Sequence, residues 1–196
     1  MTHQSGELFM RIFTMAALAA ATLPLAACLG GGGDSDGDLP ENFEEIADLY
    51  DAAEAGELDE ASEEMMSGTA TLAGAIAFED LGEGGELEAI GELSLTADFT
   101  NDEVTGTADN FALYVTDTDE VEATLSGSLG VDGDITGTTM TATLEGDLKE
   151  GGASNIVDMT MVGTFYEYDS GLAVAGDVTG TIDGNEADGG FAAIEE

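Results

Sequence analysis

The sequence predicts an all-β domain of about eight antiparallel strands, preceded by a short helical segment and a lipoprotein signal peptide. Three observations predict it. From Ser67 onward apolar residues alternate with polar ones, and turn-forming clusters follow about every ten residues. Between Pro40 and Met66 the apolar spacing is instead that of a helix. Ahead of both, an apolar run from Ile12 to Leu25 leads into Leu25-Ala26-Ala27-Cys28.

That run is shorter than the ~20 residues of a stable bilayer span and has the length of a signal-peptide core. Small residues let the segment lie extended in a peptidase cleft. A thiol at the end is the nucleophile that takes up a diacylglycerol before cleavage. Residues 1–27 therefore read as a lipoprotein signal, and Cys28 as the lipidation site. Met1 to Phe9 carry Glu7 and no basic residue, whereas Met10-Arg11 opens a signal in the ordinary way, so translation from Met10 fits the pattern. Diacylglycerol and palmitate-type chains on Cys28 would anchor the mature chain stably, since two acyl chains suffice where one is marginal. Leu29 rather than Asp after the Cys favours the outer membrane or cell surface, by resemblance to bacterial lipoprotein sorting. Cys28 is the only cysteine, so no intramolecular disulfide can form.

Residues 28–39 form a flexible tether, Gly30 to Gly33 followed by Asp34-Ser-Asp-Gly-Asp38. The Asp spacing is that of the start of a calcium loop, but the distal Glu of that motif is not in place. Residues 40–66 form the helical segment. Phe43, Ile46, Ala47, Tyr50 and Ala53 share one helix face, Pro40 suits the first turn, and Glu41, Glu44 and Glu45 favour the positive end of the dipole. Gly56 interrupts, and Leu58, Ala61 and Met65 continue with helical spacing. One broken helix or two short ones are expected, with the stripe docked against the domain that follows.

Residues 67–196 carry the strands. The first is expected near Gly68 to Phe78 and the last near Gly190 to Ile194. Leu93, Leu95, Ala97 and Phe99 make one face, and Met140, Ala142 and Leu144 another. Val157 to Phe165 and Leu172 to Ile182 alternate in the same way, as do the odd positions from Val121 to Val131. Turns are expected at Thr100-Asn101-Asp102, Val131-Asp132-Gly133-Asp134, Gly151-Gly152 and Asp183-Gly184-Asn185. One phrase recurs, as Val104-Thr-Gly-Thr107, Ile135-Thr-Gly-Thr138 and Val178-Thr-Gly-Thr181, and each copy is expected to start the return strand of a hairpin. Closing the strands into a barrel would remove both sheet edges; a sandwich uses the same number of strands.

The formal net charge of -41 repels nucleic acid and anionic headgroups, so nucleic-acid binding is set aside. The carboxylates are spread along the chain and read as a solvated, salt-adapted surface rather than a cation trap. With 43% apolar residues the composition is not that of a disordered chain.

Ser67-Gly-Thr-Ala-Thr-Leu-Ala-Gly74, Ala97-Asp-Phe-Thr-Asn101 with Val104-Thr-Gly-Thr107, and Gly163-Thr-Phe-Tyr166 with Val174-Ala-Gly176 follow one another along the chain. In this order they resemble the barrel motifs of transferrin-binding-protein-B-like surface lipoproteins, a barrel shared with factor H-binding protein. The resemblance covers Ser67 to about Phe191. It implies a single eight-stranded antiparallel β-barrel, display on a lipid anchor, and binding of a protein or small ligand, with iron or haem acquisition among the roles. Glu167-Tyr168-Asp169 stands where the family carries Gly after its Phe-Tyr pair, and there is no second lobe.

His3 is the only histidine and precedes the mature chain, so no His- or Cys-dependent triad, zinc site or His-ligated haem can be built. No enzyme, cofactor or metal is expected. Tyr114, Tyr166 and Tyr168 could ligate haem in principle, while Met140, Met159 and Met161 read as core fillers. A monomeric binding lipoprotein is expected; the alternative is a structural cell-envelope lipoprotein whose acidic surface merely holds cations. The apolar strand faces look large enough to fill the barrel, which leaves loops for binding. Tyr114 with Asp117 and Asp119, and Tyr168 with Glu167 and Asp169, are the candidate loops, each an aromatic ringed by carboxylates.

Overall fold

The computed structural model describes residues 39–40, 42–82, 85–116, 118 and 120–196. Residues 1–38, on which the expected signal peptide, Cys28 and the expected tether fall, lie outside the described residues, as do Asp117 and Asp119. One helix, α1 (Phe43–Glu54), precedes the strands β1 (Thr69–Leu81), β2 (Leu87–Asp98), β3 (Glu103–Val115), β4 (Glu120–Thr124), β5 (Ser126–Thr136), β6 (Thr139–Glu150), β7 (Ala153–Tyr168), β8 (Gly171–Ile182) and β9 (Asn185–Glu195).

The sheet closes. Antiparallel pairing runs β2-β1-β9-β8-β7-β6-β5-β3, and β2 pairs back onto β3. This is a closed eight-stranded barrel, not a sandwich. The short β4 is an extra strand that covers the far half of β3, while β5 covers the near half. The Leu125 amide between them donates to the Phe111 carbonyl at 2.8 Å, so β4 and β5 act as one bent stave.

The alternation places one continuous core inside. Leu93, Leu95, Ala97, Met140, Ala142, Leu144, Met159, Met161 and Phe165 are buried there as expected, with Leu72, Ile76, Leu129, Val174 and Phe191. Glycine allows the closest approaches. A Cβ at Gly176 would lie 2.1 Å from the Val162 carbonyl oxygen.

Four expectations are corrected. The segment Val131 to Asp134 is not a turn but the middle of β5. Asp132 and Asp134 point outward, and a Cβ at Gly133 would meet that of Ala142 at 2.5 Å, so this glycine serves strand contact. Of the three recurring phrases only Val104 to Thr107 lies at the start of a strand. Ile135 to Thr138 runs into the turn, where Gly137 has φ +60°, and Val178 to Thr181 ends β8. The face from Val121 to Val131 is broken: a register shift beside Tyr114 turns Val121 to the outer wall, whereas Ala123 and Leu125 pack inward. Finally, no helix follows Gly56. Gly56 takes φ +67°, its amide donates to Ala53, and the Glu57 amide donates to Ala52, a glycine-based helix stop.

α1 lies on the outer wall of β8, β9 and β1, as its stripe predicts. Phe43, Ile46, Leu49 and Tyr50 form a second core with Ala75, Ala77, Ala173, Ala175 and Ala192. The wall is small-residued under the helix, and a Cβ at Gly190 would lie 2.6 Å from the Tyr50 ring. Small residues here let helix and sheet approach closely. Under α1 the wall is buried on both sides, as at Leu172 to Ala175 of β8, and the outer cluster extends to Ile90 of β2 and to Ala112 and Tyr114 of β3.

Candidate functional site

The two ends of the barrel differ. Turns β2–β3, β5–β6 and β7–β8 mark one end, and the remaining hairpins mark the other. The first end is plugged by the chain that leads from α1 to β1. β7 outruns β6, whose pairing stops at Thr139–Thr164, so the edge from Phe165 to Tyr168 would be left open. Residues 59–61 take it up. The Ala61 amide donates to Phe165 at 2.9 Å, the Glu167 amide to Asp59 at 3.0 Å, and Glu60 bridges Tyr166. The Thr138 hydroxyl donates to Glu60 at 2.8 Å. Ala61, Met65, Met66 and Phe99 then pack onto the core, with Phe99 and Phe165 edge to face at 5.3 Å. Ala61 and Met65, expected on a helix, are therefore a stopper.

The other end is open. A cavity of about 530 Å³ enters the barrel between the ends of β1, β2, β3, β6, β7, β8 and β9, within the size range of small-molecule sites. Its walls are apolar: Leu81, Leu87, Leu113, Leu125, Leu148 and Ile182. Deeper along β1 is Phe78, its ring stacked on Phe111 at 5.5 Å. The walls face inward because of a break in parity. Val104 and Ala108 point into the core from even positions of β3, then Asn110 takes φ +54° opposite a register shift in β2. Beyond it Phe111 and Leu113 point inward, and Ala112 and Tyr114 belong to the outer wall. A Cβ at Gly91 would strike the Phe111 ring at 2.6 Å, so the glycine opposite makes room for it.

The rim is polar and acidic. Glu150 and Asp183 stand on it with Asn155 and Asn185; Glu186 borders it but turns outward, since its neighbour Ala187 points into the barrel. Asp183 and Gly184 both have positive φ, which suits a two-residue hairpin turn. The Ile156 amide donates to the Asp183 carboxylate at 2.7 Å and the Asp183 amide to Ile156 at 2.8 Å, so this turn is clamped to β7. Glu150 and Glu186 are exposed.

The structure separates the candidate loops. Tyr114 leads to the open end and Glu167 to Asp169 lies at the plugged end, so they do not share a mouth. Tyr114 is 5% exposed and sits in the outer-wall core, which makes it a wall residue rather than an exposed anchor. Tyr168 is half-buried against the α1 core. Burial, then the charges of Glu45, Asp169 and Asp48, push its phenol up from the ordinary value. Glu167 is exposed but its amide is spent on Asp59; Asp169, at φ +46°, forms the turn. Tyr166 is also half-buried there. Met140, Met159 and Met161 are fully enclosed core.

A second hollow, about 590 Å³, lies on the outer wall beside the start of α1, lined by Pro40, Asn42, Ile46, Glu92, Asp109 and the chain end. Two of its carboxylates have partners: the Asn110 side-chain amide donates to Glu92 at 2.7 Å and the Leu172 backbone amide to Glu195 at 3.2 Å. At the far end of α1, burial first and then the charges of Glu54, Asp177 and Glu79 raise the pKa of Tyr50. Among the described residues no helix is long and apolar enough to cross a membrane, and no group of three or more His, Cys, Asp or Glu is placed to hold a metal ion.

The mouth was not named from the sequence. Its walls come from seven strands, and the parity break at Asn110 hides the one from β3, Leu113. The sequence matches no protein-family model and no curated protein.

Proposed function

We propose that the chain is a lipid-anchored, surface-displayed binding protein of the transferrin-binding-protein-B-like kind, and that it takes its ligand at the open mouth of the barrel. One observation supports the reading most: an otherwise filled barrel keeps an apolar cavity at one end, while its own chain seals the other. Apolar walls left open to water are a cost to the fold unless something uses them. No chemistry beyond binding is asked of the site. Haem fits it poorly, because its propionates would meet Glu150.

Anchoring and binding are tested separately. Cys28→Ser should leave the chain unprocessed or release it from the membrane fraction; persistence there at mature size would contradict the anchor. For binding, the full chain is used to capture partners from natural medium, with Leu125→Asp as the comparison. Loss of the captured molecule in that variant is expected. Equal capture would move the site away from the mouth.

A further inference from the structure

We infer that the open mouth holds a small amphiphile with an apolar body and a cationic head. The inference rests on the reading of the mouth as the ligand site and adds the ligand's chemistry.

The body is set by the walls. Leu81, Leu87, Leu113, Leu125 and Ile182 offer methyl groups and no hydrogen-bonding side chain. Burying an alkyl chain among them takes its methylenes out of water, which is favourable and not directional. The polar donors and acceptors that would fix a sugar or a peptide are confined to the rim. Such a site selects by apolar volume inside and by charge outside.

The head is set by the rim. Glu150, two residues beyond buried Leu148, turns an exposed carboxylate to the entrance, whereas the Asp183 carboxylate is already engaged by the Ile156 amide and Glu186, beside inward Ala187, faces the outer wall. Lys149 is the single cation after residue 11, and it adjoins this end. Strand alternation turns it outward: Leu148 is buried in the barrel, and Lys149 is exposed on the other face. The basic side chain nearest in sequence is thus directed away from the cavity. A carboxylate head would meet like charge at the rim and in the field of the whole chain, a cost that complementary heads avoid. A quaternary ammonium meets the Glu150 carboxylate and the negative field of the chain, and loses little hydration there.

The test uses the full chain with Cys28→Ser, so that no acyl chain competes for the mouth. Decyltrimethylammonium, decanol and decanoate are titrated below their aggregation limits at low salt, with methyl NMR as the readout. The cation should give saturable shifts at Leu81, Leu125 and Ile182, about 5-fold tighter than decanol, the factor that one carboxylate at ~4 Å supplies in water. Decanoate should be the weakest. The preference should shrink in ~0.5 M salt, where the screening length falls well below ~8 Å. In Glu150→Gln, decanol should still bind and the preference for the cation should largely vanish, whereas Glu186→Gln, on the outer face, should keep it. Ala187→Trp, which puts a large ring into the mouth, should remove binding of all three. Decanoate binding as tightly as the cation would overturn the inference. So would shifts from the cation that spread over the outer wall without saturating. If none of the three shifts the mouth but a captured protein protects it, the amphiphile is wrong and the binding-module reading stands.

Discussion

The two ends of this barrel are made from the same materials and finished differently. At the plugged end, β7 runs past β6, and residues 59–61 cover the exposed edge with backbone hydrogen bonds. That places Ala61, Met65 and Met66 over the core, where Phe99 meets Phe165. At the open end the strands finish in hairpins alone, and Leu81, Leu125 and Ile182 are left only partly buried. An eight-stranded barrel is just wide enough to be filled by side chains or to hold one small ligand. Here it does the first over most of its length and leaves room for the second at one end. The comparison separates residues that hold the fold from residues that are free to serve a ligand.

The sharpest way to break that contrast is to cut equally at both ends. Phe165→Ala should cost about 3–5 kcal/mol, because a fully buried ring leaves a cavity and its edge-to-face partner is lost. Leu81→Ala at the mouth should cost only about 1 kcal/mol, since part of that side chain is already in water. Urea unfolding of the two variants measures both. Similar losses would mean that the open end is as much core as the plugged one.

A smaller effect tests the outer wall. Gly190→Val puts a Cβ 2.6 Å from the Tyr50 ring, and overpacking of this kind costs about 1–3 kcal/mol. The loss should appear in the helical part of the circular dichroism signal before the strand part. Simultaneous loss of both would mean that α1 and the barrel fold as one inseparable unit.

Much of this was legible in the sequence, for a physical reason. Where a strand alternates without interruption, as from Val157 to Phe165, inside and outside follow from parity alone. Leu93 to Ala97 and Met140 to Leu144 fell where alternation puts them. The stripe of α1 predicted its docked face. Legibility failed where parity broke. Asn110 adopts a left-handed backbone inside β3, and from there outward every side chain changes sides. Tyr114 consequently packs into the wall, although its acidic neighbours suggested a loop anchor. The phrase Val/Ile-Thr-Gly-Thr misled because glycine serves close strand contact at Gly106 and Gly180 but a left-handed turn at Gly137. The mouth is the extreme case, since seven strands contribute to it and no local pattern marks it.

The smallest expected effect concerns pH at the α1 interface. Burial raises the pKa of Asp51 and of Glu54, with Asp48 adding to the first and Asp177 to the second. One oxygen of Asp51 is buried without a hydrogen-bond partner. Carboxyls whose pKa is higher in the folded state bind protons more tightly there, so stability rises as pH falls from neutral through that raised value and levels off below the unfolded one. Asp51→Asn/Glu54→Gln should therefore be more stable than the parent at neutral pH, with the two curves converging in acid. A difference that is flat with pH would remove the electrostatic account of this contact.

The central claim, one end sealed and the other open to a ligand, is tested most directly by solvent access to the interior. A neutral, soluble paramagnetic agent should relax the methyl groups of Leu81, Leu125 and Ile182 strongly. Those of Ala70, Val104 and Ile135, buried toward the plugged end, should be relaxed several-fold less. Equal protection of the two sets would show the mouth closed in solution, and equal exposure would show that residues 59–66 do not seal the barrel; either result contradicts the account.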